Sequence, residues 1–412
     1  MIQFDKIVLE NGLKVLVHRD TTTPLAALNI CYDVGSRDED PNLTGFAHLF
    51  EHLMFGGSVN IPSYDEPLQQ VGGDNNAFTS NDITNYYLTL PSENIETGFW
   101  LESDRMLELA FSEKSLEVQR NVVIEEFKQR YLNQPYGDAW PKIRKMAYQV
   151  HPYSWPTIGK DISHIENATL YQVKEFFYRH YAHNNAVLVA TGNVDSDQIF
   201  QLAEKWFGPI PYREVPLRNL PQEPVQKELR FEEMERDVPI DSLYMAYHMS
   251  DRLAPEYYTA DLISDILSNG HSSRLYRRLV IDKQMFSELD AFISGDNDPG
   301  LFMISGKPAN GFSLDQAKEA ILNELQQLCE EGVESNELEK VKNKFEATLV
   351  YTNMSYLNKA MGLANFENLG DASQINNQAD RYRAITPERI RETAQKLFTP
   401  ENSSILYYRA RK

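Results

Sequence analysis

The alternation of apolar and polar residues predicts that the chain begins with paired strands and continues into a helix. Residues 13–18 and 25–34 are rich in apolar and β-branched side chains, as strands are. A helix is predicted to begin near Thr44 and to end at Gly56 and Gly57, since glycine is common just past the end of a helix. Its apolar side chains recur at helical spacing, at Phe46, Leu49, Phe50, Leu53 and Met54.

Three further elements are predicted before residue 132. Residues 78–90 alternate with the period of one strand, and residues 93–111 return to a helical period. Residues 113–131 predict a charged amphipathic helix that can bury one apolar face. Strands and helices thus alternate along the chain, which is typical of an α/β or α+β fold.

The second half of the chain repeats the pattern of the first. The strand predicted at 242–249 corresponds to the strand at 25–34. Later residues of the two halves align at one offset of 217 positions, pairing Val173 with Ile390, Glu175 with Glu392 and Tyr181 with Phe398. A tandem duplication explains the offset. The alternative is two unrelated amphipathic helices, each followed by a strand.

A proline-rich interruption separates the two halves. Between residues 209 and 224 lie five prolines, and neither helical nor strand periodicity is present there. We therefore predict a first domain at 1–208, a linker at 209–228 and a second domain at 229–412. The length of 412 residues agrees with two domains of about 200 residues each.

Charge and cysteine content exclude several classes of function. Sixty acidic residues against 40 basic ones give a net charge of −20, which argues against a nucleic-acid groove and against binding to an anionic membrane. No apolar stretch is long enough for a membrane span. Two cysteines, Cys31 and Cys329, cannot form a Cys-rich zinc site. Since the N-terminus has no signal-peptide pattern, we predict a cytoplasmic protein as the sequence stands, or a periplasmic one if a leader precedes it.

The predicted helix after residue 44 contains the pentad His48-Leu49-Phe50-Glu51-His52. Residues i and i+4 lie above one another on a helix, so both histidines can bind one metal ion, with Glu51 close by. This is the H-x-x-E-H motif of inverzincins. A surface helix with solvated histidines is the alternative, but the apolar residues around the pentad argue against full exposure. We predict one zinc ion per chain, with manganese or cobalt as alternatives.

A catalytic zinc ion usually has three protein ligands, and the pentad supplies two. Residues 120–126, Arg-Asn-Val-Val-Ile-Glu-Glu, resemble the segment that provides the third ligand in the pitrilysin family, which includes insulysin and the mitochondrial processing peptidases. The resemblance implies Glu126 as the third ligand, with Glu125 as the alternative. It also implies two tandem homologous domains, each a mainly antiparallel sheet covered by helices.

A second segment extends the resemblance toward the substrate. Residues 76–87 are similar to the family's edge strand beside the zinc ion. The resemblance implies that Asn76, Ala77 and Phe78 contact an extended peptide, and an edge strand can accept peptides of many sequences through its main chain. The alternative is an ordinary internal strand. Glu51 is then expected to act as the general base in peptide hydrolysis.

The sequence departs from the family pattern at three positions. A Glu that relatives often carry seven residues before the third ligand is Gln119 here. In active relatives an Arg, and a Tyr seven residues later, reach the substrate from the C-terminal half, and the corresponding residues here are Val280 and Ser287. Neither side chain can donate as a guanidinium or a phenol does. We therefore expect a heterodimer in which a related chain supplies the Arg/Tyr pair, with a homodimer as the alternative.

The resemblance predicts a zinc metalloendopeptidase that cleaves unfolded peptides in a chamber formed by four α/β domains. A peptidase that removes targeting presequences is an alternative within the family. A non-catalytic peptide-binding or assembly subunit is an alternative from another class, although such a subunit has no need to keep Glu51.

Overall fold

The computed structural model describes residues 1–411, which divide into two compact units. Unit 1 contains residues 1–128, 155–220 and 349–377. Unit 2 contains residues 129–154, 221–348 and the described residues from 378 onward. Each unit is therefore assembled from three separate stretches of chain.

Each unit contains one β-sheet. The strands are β1 (Asp5–Val8), β2 (Lys14–Arg19), β3 (Leu25–Tyr32), β4 (Asp74–Thr79), β5 (Thr84–Pro91), β6 (Ala186–Gly192), β7 (Arg230–Arg236), β8 (Ser242–His248), β9 (Phe286–Ile293), β10 (Leu301–Pro308) and β11 (Ser403–Ala410). The sheet of unit 1 has the order β1-β2-β6-β3-β5-β4, and that of unit 2 has the order β7-β11-β8-β10-β9. Neighbouring strands are antiparallel except for β2 with β6 and β7 with β11. This confirms the predicted mainly antiparallel sheets.

Helices cover both sheets. They are α1 (Phe46–Leu53), α2 (Asp65–Gln70), α3 (Ile95–Leu107), α4 (Glu113–Phe127), α5 (Ala139–Ala147), α6 (Ile162–Glu166), α7 (Leu170–His180), α8 (Ser196–Phe207), α9 (Pro255–Ser268), α10 (Leu314–Glu331), α11 (Ser335–Thr352), α12 (Tyr356–Asn368), α13 (Gln378–Arg383) and α14 (Pro387–Leu397). Two short π-helical segments lie at residues 128–132, directly after α4, and at residues 276–282, between α9 and β9. Among the described residues, no helix has both the length and the apolar character that a membrane crossing needs.

The repeat offset appears in the elements themselves. Strands β3 and β8 begin 217 residues apart, as do β5 and β10, α7 and α14, and β6 and β11. Helices α7 and α14 are also capped alike, because Thr169 and Thr386 each accept a hydrogen bond from a backbone N–H of the first turn. The two halves therefore share one α/β plan, as the offset in the sequence predicts.

One helix in each unit comes from the other half of the sequence. In unit 1, α12 packs Leu363 and its neighbours against Leu16 and Val189 of the sheet. In unit 2, α5 packs Ile143 and its neighbours against Tyr244 and Leu406. An apolar sheet face must be covered, and these two helices do so. The contiguous domains 1–208 and 229–412 stay a prediction about the two repeats. The two compact units differ from those domains, because each unit includes a helix from the other half of the sequence.

The first part of the predicted linker at 209–228 is tied to unit 1. The Arg213 guanidinium donates hydrogen bonds to the carbonyl oxygens of Leu107 and Tyr181. Arg218 donates to Asp38 at 2.6 Å and to Asp33 at 3.0 Å. The division between the units falls after Leu220, within the predicted range.

The prediction of a single strand over 78–90 is wrong. The structure has two antiparallel strands there, β4 and β5, which are joined by a tight turn in which the Ser80 N–H donates to the Ile83 carbonyl at 2.8 Å. The turn is so short that the apolar–polar alternation continues through it, and periodicity alone did not reveal the break.

An ion pair fastens α12 to the sheet of unit 1. Lys359 Nζ lies 2.6 Å from Asp20 Oδ2, and both side chains are almost nine-tenths buried. The hydrogen bond from Lys359 holds the pKa of Asp20 well below its usual range. A carboxyl whose pKa is lower in the folded state adds stability above its unfolded-state pKa and loses it as the pH falls.

We expect Asp20→Asn to lower the free energy of unfolding by about 1–2 kcal/mol at pH 7, because it removes a charge-assisted hydrogen bond. The difference from the wild type should shrink as the pH falls below about 4. Urea unfolding of both proteins at pH 7 and pH 3 measures it, with Asp74→Asn, an exposed acid of the same unit, as the control. An equal difference at both pH values would contradict the assignment.

Candidate metal centre

Helix α1 places the two histidines of the pentad on one face. The ring centroids of His48 and His52 lie 4.9 Å apart. Most of the other side chains of this eight-residue helix are buried in unit 1, and His48 itself is also buried. The alternative of a surface helix with solvated histidines is therefore wrong.

Helix α4 brings Glu126 against these two rings. Glu126 Oε2 lies 3.2 Å from His48 Nε2 and 3.4 Å from His52 Nε2, and the two Nε2 atoms are 3.4 Å apart. Ligand atoms at about 2.0–2.1 Å from a tetrahedral zinc ion are separated by about 3.3 Å. These three atoms thus have the spacing of three corners of such a tetrahedron, so the residues fit the metal that the motif implies.

Glu125, the alternative ligand, lies on another side of α4. Its side chain is 72% exposed and accepts a hydrogen bond from Lys128 Nζ at 2.8 Å. Successive residues of a helix are about 100° apart, so α4 can direct only one of the two carboxylates at the histidines. Among residues 1–411, the acidic and imidazole ligand atoms that converge as a group of three are those of His48, His52 and Glu126.

Glu51 lies beside the histidines, one turn along α1. Its Oε2 atom is 3.3 Å from Nδ1 of His48, on the side of the ring that faces away from Glu126. Burial acts to raise the pKa of Glu51, but hydrogen bonds with His48 and Thr79, together with the charges of His48 and His52, outweigh it and the pKa is lowered. Glu51 is therefore a carboxylate at neutral pH and can accept a proton.

The charge of His48 depends on the same two carboxylates. Burial alone would lower the pKa of His48, but hydrogen bonds with Glu126 and Glu51 raise it to about 9. Both ring nitrogens therefore carry a proton at pH 7, and a metal ion that binds Nε2 must displace the proton there. The Nδ1–H then stays directed at Glu51.

Strand β4 forms one edge of the sheet of unit 1, beside α1. It contains all three residues predicted to contact a peptide. Asn76 and Phe78 are exposed and Ala77 is half-buried, and the Ala77 N–H donates to Oδ1 of Asn76 at 2.8 Å. The alternative of an internal strand is wrong, and the contact with a substrate stays a prediction.

The structure also locates the three departures from the family pattern. Gln119 is half-buried on α4, two turns before Glu126. In unit 2, Val280 packs against the apolar core, and the Ser287 hydroxyl donates to the Lys307 carbonyl at 3.2 Å. Neither of the last two side chains offers a cationic or phenolic donor.

The arginines near Val280 in the sequence are engaged within unit 2. Arg274 donates two hydrogen bonds to the Glu337 carboxylate, at 2.7 and 3.0 Å. Arg278 lies 2.6 Å from Glu324. Their ion pairs leave these guanidinium groups committed to structural contacts.

Two buried groups that support α1 are missing from the sequence-based expectations. The first is Glu39, whose carboxylate accepts N–H hydrogen bonds from the first turn of α1. The second is Arg105, whose guanidinium lies 4.5 Å from the ring centroid of Tyr86. The Tyr86 hydroxyl in turn donates to the Phe50 carbonyl of α1. The signal for the first was Gly45, a helix-capping residue with no side chain, which requires a cap from elsewhere. Nothing in the sequence pattern marks Arg105 as buried.

The fold and the H-x-x-E-H motif are together typical of the inverzincins, a class of zinc peptidases. Comparison with known proteins agrees with this class. Residues 14–161 match the family described as "Insulinase (Peptidase family M16)", and residues 167–345 match the one described as "Peptidase M16 inactive domain". The chain belongs to peptidase family M16, the insulinase and pitrilysin type.

Named relatives and a solved structure are similar over most of the chain. The zinc protease PqqE of Helicobacter pylori is 29% identical over 356 residues, which cover 84% of this chain and 79% of that protein. The beta subunit of the mitochondrial-processing peptidase of Saccharomyces cerevisiae is 27% identical, covering 63% of this chain and 57% of that subunit. The crystal structure of a protease from Helicobacter pylori superposes with a TM-score of 0.94 at 25% identity, covering 99% of this chain and all of that one.

We expect Glu126→Gln to weaken zinc binding by about 100-fold or more, because an amide is a much poorer zinc ligand than a carboxylate. Glu125→Gln, the same change one residue earlier, should leave the affinity unchanged. Competition with a chromophoric chelator at pH 7 measures both. The reverse result, with Glu125→Gln as the weak binder, would show that the ligand assignment on α4 is wrong.

Proposed function

We propose that this chain is a zinc-dependent metalloendopeptidase that binds one Zn²⁺ through His48, His52 and Glu126. The observation that carries the proposal is the triangle of ligand atoms, 3.2–3.4 Å on each side, next to an ionised Glu51. Two carboxylates beside two imidazoles are costly to bury unless a positive charge lies among them, which is a proton on His48 in the metal-free chain and would be the zinc ion in the enzyme. The names of the relatives as zinc proteases agree with this reading.

Each side chain then has a defined task in peptide hydrolysis. Bound zinc supplies a Lewis acid that polarises the scissile carbonyl and makes water more acidic. A Glu51 carboxylate oxygen takes a proton from the attacking water and gives it to the nitrogen of the leaving amine. His48, with Nδ1 held by Glu51, keeps its ring oriented so that Nε2 stays directed at the ligand triangle.

The substrate we propose is an extended segment of an unfolded polypeptide. Strand β4 lies at the edge of its sheet, so its outer backbone groups can pair with a peptide strand along Asn76, Ala77 and Phe78. Such pairing reads the main chain and accepts many sequences. The charge of −20 favours basic peptides.

We further propose that the active enzyme is a heterodimer. The family's Arg/Tyr pair is absent here, since Val280 and Ser287 occupy those positions and the nearby arginines are engaged elsewhere. A related chain with the pair would supply the missing donors, and a homodimer is the alternative. The beta chain of the mitochondrial-processing peptidase, by its name, is one subunit of an assembly.

A non-catalytic peptide-binding subunit is the second candidate function. The description of residues 167–345 as an inactive domain favours it for that part of the chain. Glu51 argues for catalysis, because a subunit that only binds peptides gains nothing from an ionised carboxylate beside a metal site. Removal of presequences is a narrower form of the first proposal and differs from it in substrate alone.

We expect Glu51→Gln to lower peptide turnover by about 100-fold to 10,000-fold, because the amide cannot accept the proton of water. The zinc content should stay at one ion per chain, since Glu51 is not one of the three ligands. Cleavage of a quenched fluorescent peptide, with a related chain that carries the Arg/Tyr pair present if the wild type needs one for activity, measures turnover, and metal analysis of the same samples measures the zinc content. Activity close to that of the wild type would exclude Glu51 as the base.

The heterodimer proposal makes a separate prediction. The zinc-loaded chain alone should be nearly inactive, and activity should rise when a related chain that carries the Arg/Tyr pair is added. The same companion with its Arg and Tyr replaced by Val and Ser is the control. Full activity of the chain alone would contradict the need for a companion, and inactivity with every companion would favour the non-catalytic function.

A further inference from the structure

The short helix that carries the zinc motif has no cap of its own. Helix α1 has eight residues and spans about 12 Å, which is too short to be stable on its own in water. The residue before it, Gly45, has a positive φ of 94° and no side chain to accept the first N–H groups. A Cβ atom there would lie 2.5 Å from the Ile158 carbonyl oxygen, so a capping Ser or Asp cannot replace it.

Glu39, six residues earlier, provides the missing acceptor. Its Oε2 atom accepts a hydrogen bond from the Gly45 N–H, and its Oε1 atom accepts one from the Ala47 N–H, both at 2.9 Å. The indole N–H of Trp155 donates to Oε2 as well, at 3.2 Å. Glu39 is only 5% exposed, so water cannot readily take over these bonds.

The turn that Glu39 holds leads directly into the metal ligands. Ala47 precedes His48, and His52 follows one turn later on the same face. A bidentate grip on two N–H groups fixes both the position of the first turn along its axis and its rotation about that axis. A rotation of α1 would separate the His48 and His52 Nε2 atoms from the Glu126 carboxylate on α4, where the present distances are 3.2 and 3.4 Å.

Neighbouring contacts fix the same turn from another side. The Thr44 N–H donates to Nδ1 of His164 at 3.1 Å, and the Thr44 hydroxyl accepts a hydrogen bond from the Lys160 N–H at 3.0 Å. These bonds hold the chain that enters α1. Glu39 is the group that reaches the N–H groups of Gly45 and Ala47 themselves.

We propose that Glu39 is a positioning residue of the metal centre, which holds α1 in the register that lets His48 and His52 share one ion with Glu126. The inference rests on the proposed function, because the shared ion is the zinc of the proposed peptidase. Glu39 is not one of the three converging ligand residues. Its effect reaches the site through the backbone of α1.

Glu39→Gln is the direct test. The amide keeps one acceptor oxygen but places an NH₂ group against an N–H donor, so one bond of the pair is lost. We expect zinc affinity to fall by about 10-fold to 100-fold, which is typical when a residue that orients the metal ligands is changed. The visible spectrum of the cobalt-substituted protein should lose intensity at the same time, because the ligands are no longer held in one tetrahedral arrangement.

Glu367→Gln is the matched control for a loss of stability alone. Glu367 is an equally buried carboxylate of unit 1 that accepts a hydrogen bond from Lys6, and it lies on α12. We expect this variant to unfold at a lower urea concentration, with unchanged zinc affinity and an unchanged cobalt spectrum. Glu39→Asp, which keeps the carboxyl group but is one methylene shorter, replaces Glu39→Gln if the latter does not fold.

The outcomes separate the inference from the function on which it rests. If the wild type binds no zinc, the proposed function fails. If the wild type binds zinc and a folded Glu39→Gln or Glu39→Asp variant binds it within twofold, the positioning role of Glu39 is overturned. A loss of affinity that Glu367→Gln reproduces would also overturn it, because the effect would then follow stability and not the register of α1.

Discussion

Two imidazoles and a carboxylate meet in unit 1 with their ligand atoms 3.2–3.4 Å apart, and this contact makes demands on much of the surrounding structure. Polar groups that are buried this close together are stabilised only when a positive charge lies between them. The partners belong to α1 and α4, and His48 lies 78 residues before Glu126 in the sequence. Everything that fixes these two helices relative to each other therefore bears on the chemistry of the site.

Support for α1 comes from outside the helix, because eight residues supply little stability of their own. Glu39, which also accepts a hydrogen bond from the Trp155 indole, holds the first turn. Toward the other end, the Tyr86 hydroxyl donates to the Phe50 carbonyl at 3.1 Å. Behind Tyr86 lies Arg105, which is 1% exposed and ion-paired with Glu102. Buried charge in this unit thus serves to place a helix, and the cost of that burial is offset by the hydrogen bonds.

Much of this could be predicted from the sequence, for reasons that particular residues make clear. Spacing of i and i+4 on a helix is a local property, so the pairing of His48 with His52 follows from the sequence alone. The choice of Glu126 over Glu125 depended on a family resemblance, because the contact with α4 is long-range. Glu39 was not predicted, since a cap that reaches across a loop has no fixed spacing. No periodicity in the sequence indicates that α5 packs on the sheet of unit 2 and α12 on the sheet of unit 1.

The measurement that tests the account most directly is a crystal structure of the zinc-loaded chain with anomalous data collected at the zinc absorption edge. We predict one ion per chain, at about 2.0–2.2 Å from Nε2 of His48, from Nε2 of His52 and from a carboxylate oxygen of Glu126. Glu51 should lie beside the ion without binding it. An ion held through Glu125, an ion at another place, or no ion at saturating zinc would contradict the account.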